Sequence, residues 1–520
     1  MKVSAKNRPG LLPAGTAALA AFLTLGAPLA AQDPAVIRLA LGADPTTFDP
    51  ARYRAGDDSV AYRLMFSALT RRGDDGAITG GLAESWEQTG PTTYVFHLQP
   101  DAVCADGTPV DAEVVVNSLR YIEDPETQMI FRGVVFGPDR PEISASDDGR
   151  SVTIELPSAY PGLLAGLSMP MAGVICPAGL ADLEGLHRGD VPGASSGGYV
   201  LTEAVPGVRY SFAMHDNFNG GAEFVRNLPG RSPDAFHYSV ATDPSALINQ
   251  LIAGELDKVN LPANAVERIE GDARFDIASF ILATDTLYFN QSPTSPFNEN
   301  PDLRRAVLQA IDRAAVTEVS TGGRGTPVNT VLFPNLACGN DDASLFPEFD
   351  PAAAGALLNG VEIRISASPS TRVTLEYIQA SLMAMGANVT MMTGDNAENW
   401  ARVLQRPETW DMSITNVINF AGVLDAPFDR LIGTGVEDGG QSITRSGNAE
   451  AAALLDQARA AGDLESQCAL VTEAEQAALR NYDFMPLHSF ERFLGYRQGL
   501  FPGVLPGLND DSTIRILAAD

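Results

Sequence analysis

Between Val361 and Val417 the apolar residues switch repeatedly between a strand period and a helix period. Val361-Glu362-Ile363-Arg364-Ile365 alternates every two residues and predicts a strand. Residues 371–385 carry Leu375, Ile378 and Leu382 on one helical face and stop at Gly386. A second strand is expected from Val389 to Met392, a second helix over about 397–405 and a third strand from Asp411 to Val417. Strands separated by a helix are not joined by hairpin turns, so this rhythm predicts βαβ units and a mostly parallel sheet. The chain is therefore of the α/β class. Its 520 residues exceed what one ordinary core holds, which implies two or more packed lobes.

Elsewhere the pattern is richer in strands. Val36 to Leu41 predicts a strand, followed by a Pro- and Asp-containing loop and a helix from Asp57 or Asp58 through Tyr62, Leu64, Met65 and Leu69. Tyr94, Phe96 and Leu98, and again Val152, Ile154 and Leu156, repeat with a period of two. Between them Asp111 can cap a helix that carries Val115, Leu119 and Ile122 on one face. Asn300 and Pro301 suit the cap and first position of a helix striped by Leu303, Ala306, Val307, Ala310 and Ile311. One long helix is expected over about 448–480.

The first residues read as a secretory signal. Lys2, Lys6 and Arg8 precede an apolar run from Leu11 to Leu29, and Leu29-Ala30-Ala31 offers a small residue for cleavage before Gln32. Pro13, Gly15 and Gly26 make that run a poor spanning helix, and no Cys follows it to carry a lipid. Net charge is −30, and removal of three cations with residues 1–31 leaves −33. Such a surface repels nucleic acid and anionic lipid. It suits either solubility in an exported compartment or a taste for cationic ligands.

No residue pattern announces catalysis. The five histidines are scattered without metal-ligand spacing, and there is no GxSxG elbow or SxxK. Gly322-Gly323-Arg324-Gly325 is a Gly-rich turn without a Walker lysine. No cofactor and no metal site is expected.

Three motifs in order point to a family. Leu82-Ala83-Glu84-Ser85-Trp86 is followed by the strand Tyr94-Val95-Phe96-His97-Leu98 and then by Asp106-Gly107-Thr108-Pro109-Val110-Asp111-Ala112-Glu113-Val114-Val115. Further on come Gly197-Gly198-Tyr199 before a strand, the helix ending Gly254-Glu255-Leu256-Asp257, and the run from Pro301 to Val316. Together these resemble the extracellular solute-binding proteins of family 5, the receptors of dipeptide, oligopeptide and nickel ABC importers. The resemblance covers nearly all of residues 36–520. It implies a two-lobed periplasmic binding protein of type II, a Venus-flytrap fold in the large variant with an extra β-rich subdomain in lobe I. The implied boundaries are signal peptide 1–31, lobe I 32–285 with the extra subdomain at about 75–195, lobe II 286–486, and a return to lobe I over 487–520. The implied activity is reversible capture of a small molecule or peptide in the periplasm and delivery to an inner-membrane ABC permease, by a monomer. An exported hydrolase on a two-lobe scaffold and a receptor for a sensory partner stay open as alternatives.

Four cysteines allow three pairings. Cys338 and Cys468 fall in the same expected lobe and are favoured as a pair, which leaves Cys104 and Cys176 joined or free.

Candidate ligand contacts follow from position in the family pattern. In peptide-binding relatives a strand of the second lobe leads to a Trp and to an Asp that holds the ligand's α-amino group. Here those positions fall on Val417 and Phe420, beside Asn416 and Asn419, and Asp425 is the nearest acid downstream. A buried ammonium needs a carboxylate, so an ordinary peptide amino terminus loses favour against neutral or modified ligands. Tyr53, Arg54 and Asp57 follow the Asp49-Pro50 turn at the expected cleft mouth. Arg372 could grip a carboxylate, and Trp400 could stack on a ligand.

Overall fold

The computed structural model describes residues 35–53, 58–73, 75–332, 338–419, 422–438 and 440–517. The expected signal segment, Arg54, Asp57 and Phe420 lie outside these described residues.

The principal elements, in chain order, begin with β1 (Val36–Leu41), α1 (Asp58–Met65), β2 (Ala83–Gln88), β3 (Thr93–Leu98) and α2 (Ala112–Glu123). Next come β4 (Glu142–Ala145), β5 (Ser151–Glu155), β6 (Tyr199–Val205), β7 (Arg209–Met214), β8 (Ala235–Val240), α3 (Pro244–Ala253) and β9 (Lys258–Leu261). A long strand β10 (Phe275–Phe289) leads to α4 (Pro301–Gln309), α5 (Arg313–Thr321), β11 (Glu362–Ala367), α6 (Arg372–Ala384), β12 (Asn388–Thr393) and α7 (Asn396–Gln405). The chain closes with β13 (Met412–Ile418), α8 (Ala449–Arg459), α9 (Leu464–Arg480) and β14 (Phe484–Arg497).

Three sheets organise these elements. One has the order β1-β8-β7-β6, with β1 parallel to β8. A second, β2-β3-β5-β4, is antiparallel and has its own core, in which Phe96, Val115, Leu119, Val152 and Ile154 are buried. The side chain of Asp111 accepts a hydrogen bond from the Val114 amide and starts α2 against that sheet. Cys104 and Cys176 are joined beside it, and Cys338 is joined to Cys468 in the other half of the molecule.

The third sheet runs β9-β14-β10-β13-β11-β12. The βαβ rhythm predicts a mostly parallel sheet; the structure has only β11 with β12 and β11 with β13 parallel. The other three pairings are antiparallel. The reason is that β10 and β14 are not joined to their neighbours by crossover helices. They run side by side from one half of the molecule to the other, so the local rhythm carries no information on their direction. Their ladder is interrupted between Ile281 and Ala283 and again between Asp285 and Thr286. Such bulges bend a ladder locally.

Three expected helices are shorter than the apolar pattern implies. α1 ends at Met65, because the Met65 carbonyl, which the Leu69 amide would take in a longer helix, accepts from the Gly197 amide instead. The helix expected through Ile311 breaks, since Asp312 caps a new one by accepting from Ala314 and Ala315. The single long helix over 448–480 is two, with Asp463 capping the second.

Candidate functional site

A cavity of about 1200 Å³ opens between the segment 130–169 on one side and the segment 400–460 on the other. The first wall follows α2. Ile130, Phe131, Val134, Pro138, Ala159 and Met169 face the cavity from it, with no charged side chain. Phe131 leans on Tyr53, the ring centroids 5.5 Å apart. The Tyr160 hydroxyl donates to the Val134 carbonyl at 2.7 Å and fixes this irregular stretch. Burial pushes the Tyr160 phenol up, and the nearby charges of Asp425 and Asp429 push it further.

The second wall collects its side chains from four elements. α7 presents Trp400 and Leu404, one turn apart on one face. β13 presents Thr415, Asn416 and Val417. The turn after it brings Asp425, Asp429 and Arg430, and the end of α8 brings Asp456 and Arg459. Arg459 holds three carboxylates: Asp425 at 3.2 Å, Asp429 at 2.5 Å and Asp456 at 3.0 Å. Asp425 is buried and also accepts from Gln467 at 3.4 Å. Burial raises the Asp429 carboxyl above its ordinary range, with the Arg459 charge opposing. Burial lowers the Arg459 guanidinium, yet Asp429 and Asp425 outweigh it, so the net shift is upward. Arg430 differs: its guanidinium carbon stands 5.1 Å from the Trp400 ring centroid, and among the described residues no carboxylate bridges to it.

The floor of the cavity reaches the crossing strands. The Asn416 amide donates to Asp285 on β10, and His488 Nε2 on β14 donates to the same carboxylate at 3.1 Å. Asp285 pairs in register with Asn416 on one side and His488 on the other. His488 is thus a buried member of this network and not a surface residue.

One loop ties the two walls together. Val423 leaves β13's lobe and is buried in the core under the β2-β3-β5-β4 sheet. Gly422 before it has φ +69°, and a Cβ there would collide with the Arg72 guanidinium.

Of the residues proposed from sequence, Trp400, Asn416, Asn419 and Asp425 come together on the cavity. Asn419 donates to the Val423 carbonyl at 2.8 Å and so shapes the loop as well. Tyr53 sits behind Phe131. Arg372 does not line the cavity: its exposed guanidinium pairs with Glu376 at 2.7 Å along α6. Sequence reasoning missed Phe131, Tyr160, Asp429, Arg430 and Arg459. The spacing of Asp425 and Asp429 was readable, but their partner Arg459 arrives from a separate helix.

Residues 77–436 match the bacterial extracellular solute-binding proteins, family 5 middle. The chain is 31 % identical to a substrate-binding protein from Microbacterium hydrocarbonoxydans solved with 4-hydroxybenzoate hydrazide. That match has a TM-score of 0.77 and covers 93 % of this chain and all of that one. It is 24 % identical over 506 residues to heme-binding protein A of Haemophilus influenzae, covering 88 % of this chain and 89 % of the other. An unliganded open form of the periplasmic murein tripeptide-binding protein MppA matches at 18 % identity and a TM-score of 0.73, over 93 % of this chain and 98 % of that one. The fold and the interlobe cavity define a two-lobed periplasmic binding protein of type II. The chain belongs to the bacterial extracellular solute-binding proteins, family 5, and is a solute receptor of the ABC-importer kind.

Proposed function

We propose that this chain captures its solute in the cavity between residues 130–169 and 400–460, in the periplasm, and releases it to an inner-membrane ABC permease. The observation that carries this reading is that each wall of the 1200 Å³ cavity comes from a different side of the β10–β14 crossing. A solute touching both walls favours the closed arrangement by its differential contacts. The bulges at Ile281/Ala283 and Asp285/Thr286 are the places where the crossing can bend. Residues 1–31 serve as the signal segment, with cleavage near Ala31. Among the described residues no helix is long and apolar enough to cross a membrane. The protein acts as a monomer, and binding makes and breaks no covalent bond.

The ligand is a small molecule or a modified peptide and not a peptide held by its amino terminus. Asp425, the nearest acid to the family's ligand-holding position, is committed to Arg459 and Gln467. The aromatic hydrazide in the Microbacterium relative is a small solute of that general kind. The test is native mass spectrometry of the chain from Gln32, purified without denaturation. A co-purified adduct released on unfolding is the expected result. A chain that binds no solute in a following thermal-shift screen of aromatic acids, peptides and metal chelates overturns the reading.

A further inference from the structure

The two walls of the cavity divide its chemistry, and the division specifies a ligand. Phe131, Val134 and Met169 on one wall supply apolar area and no charge. Among the described residues that line the cavity, all five charged side chains belong to the other wall. Four of these, Arg459 with Asp425, Asp429 and Asp456, are engaged with one another. Arg430 lies apart. Its guanidinium rests near the Trp400 indole, at 5.1 Å, and none of the described carboxylates bridges to it. A guanidinium on an aromatic face keeps a planar fork of N–H donors at its edge, which matches a carboxylate bidentately. The stacked ring also limits the rotamers that binding would otherwise have to freeze.

We propose that the solute is an anionic amphiphile: an apolar, aromatic or alkyl body laid against Phe131, Val134 and Met169, and a carboxylate-type head on the Arg430 guanidinium. This rests on the reading of the cavity as the solute site and goes further by giving the solute its charge and polarity. The overall charge of −30 does not oppose it, because the head meets a local guanidinium that no carboxylate bridges among the described residues. Each of the three cleft carboxylates already has Arg459 as a cation partner.

The test uses three probes with one body and different heads: 4-phenylbutyrate, 4-phenylbutanol and 4-phenylbutylamine. Each is titrated by calorimetry into the chain from Gln32 and into its Arg430→Gln and Arg430→Lys variants. Arg430 is exposed, so both variants should keep the parent's circular dichroism. The carboxylate should bind about tenfold or more tightly than the alcohol, as a charge-assisted hydrogen bond provides, and the amine most weakly. Arg430→Gln should erase the preference for the carboxylate, and Arg430→Lys should keep part of it. Equal or tighter binding of the alcohol or amine overturns the assignment, as does a carboxylate preference that survives Arg430→Gln. Failure of all three probes also overturns it. In that event an adduct in the native mass spectrum leaves the receptor reading standing, and a bare chain that also fails the wider screen removes both.

Discussion

The wall formed by residues 130–169 meets the cavity with Ile130, Phe131, Val134 and Met169, whereas the wall formed by 400–460 meets it with Asp425, Asp429, Arg430, Asp456 and Arg459. The first wall is held by packing. Its residues are continuous with the core under the β2-β3-β5-β4 sheet, which includes Met129, Val135 and Met169. The second wall is held by ion pairs among its own side chains, around Arg459. A solute closing the cleft therefore gains apolar burial on one side without stripping water from any charge there, while the other side fixes its orientation.

The sharpest way to break this contrast is at the loop that crosses it. Val423 comes from the charged wall's lobe but is buried, 3 % exposed, in the apolar wall's core. Val423→Asp puts a carboxylate there without a partner, at a cost of about 3 kcal/mol or more. Urea unfolding should show a large drop in midpoint. An unchanged midpoint means that the two sides are not joined by this loop.

Next in size is the charged wall itself. Arg459→Ala removes the cation shared by three carboxylates and leaves buried Asp425 with only Gln467. Arg459 is 40 % exposed, so solvent screening reduces the loss to about 1–2 kcal/mol. Adding Asp425→Asn should recover part of it, and additivity of the two changes in thermal unfolding would refute the coupling.

The apolar wall answers to affinity and not to stability. Ile130 is 62 % exposed at the cavity. Ile130→Asp should leave stability within about 0.5 kcal/mol and weaken the co-purified solute roughly tenfold, measured by calorimetry. Equal affinity would show that the solute does not touch this wall.

The sequence exposes the charged wall better than the apolar one, for a physical reason. Trp400, Asn416, Asn419 and Asp425 sit on or just after elements with strong periodicity, and those elements form where the pattern predicts: β11, α6, β12, α7 and β13 follow it closely. Phe131 and Val134 lie in a stretch with only a short helix, Arg132–Phe136, so no period marks which side chains face out. Arg430 gains its stacked setting from Trp400, thirty positions earlier and on another element. Arg372 was the opposite case. A cation at a helix start is visible in sequence, but the direction it faces depends on tertiary packing, and α6 turns it to Glu376. The resemblance implies two strands crossing between the lobes, but their antiparallel pairing as β10 and β14 was hidden, because the partners are about two hundred residues apart.

The smallest expected effect extends the contrast between paired and unpaired charge to pH. Two fully buried carboxylates, one in each half, respond oppositely. Asp510 feels burial, which raises it, but Arg71 and Arg63 bring it down to about 2. Glu475 feels the same burial, and among the described residues no cation stands beside it; it accepts from the Val331 and Asn340 amides and the Thr330 hydroxyl, and it is pushed up to about 7. A depressed carboxylate contributes stability that is present above its ordinary value of 3.8 and lost as pH falls toward 2. A raised one contributes stability that is present below its ordinary value of 4.5 and lost as pH rises through 7. Thermal unfolding should therefore show stability declining on the acid side through Asp510 and, between pH 4.5 and 7, a downward contribution from Glu475. Glu475→Gln stays neutral at every pH and should remove that second slope while leaving the acid limb unchanged. If the slope persists in the variant, the Glu475 carboxylate is not what titrates, and the paired and unpaired halves do not differ in the way their neighbours imply.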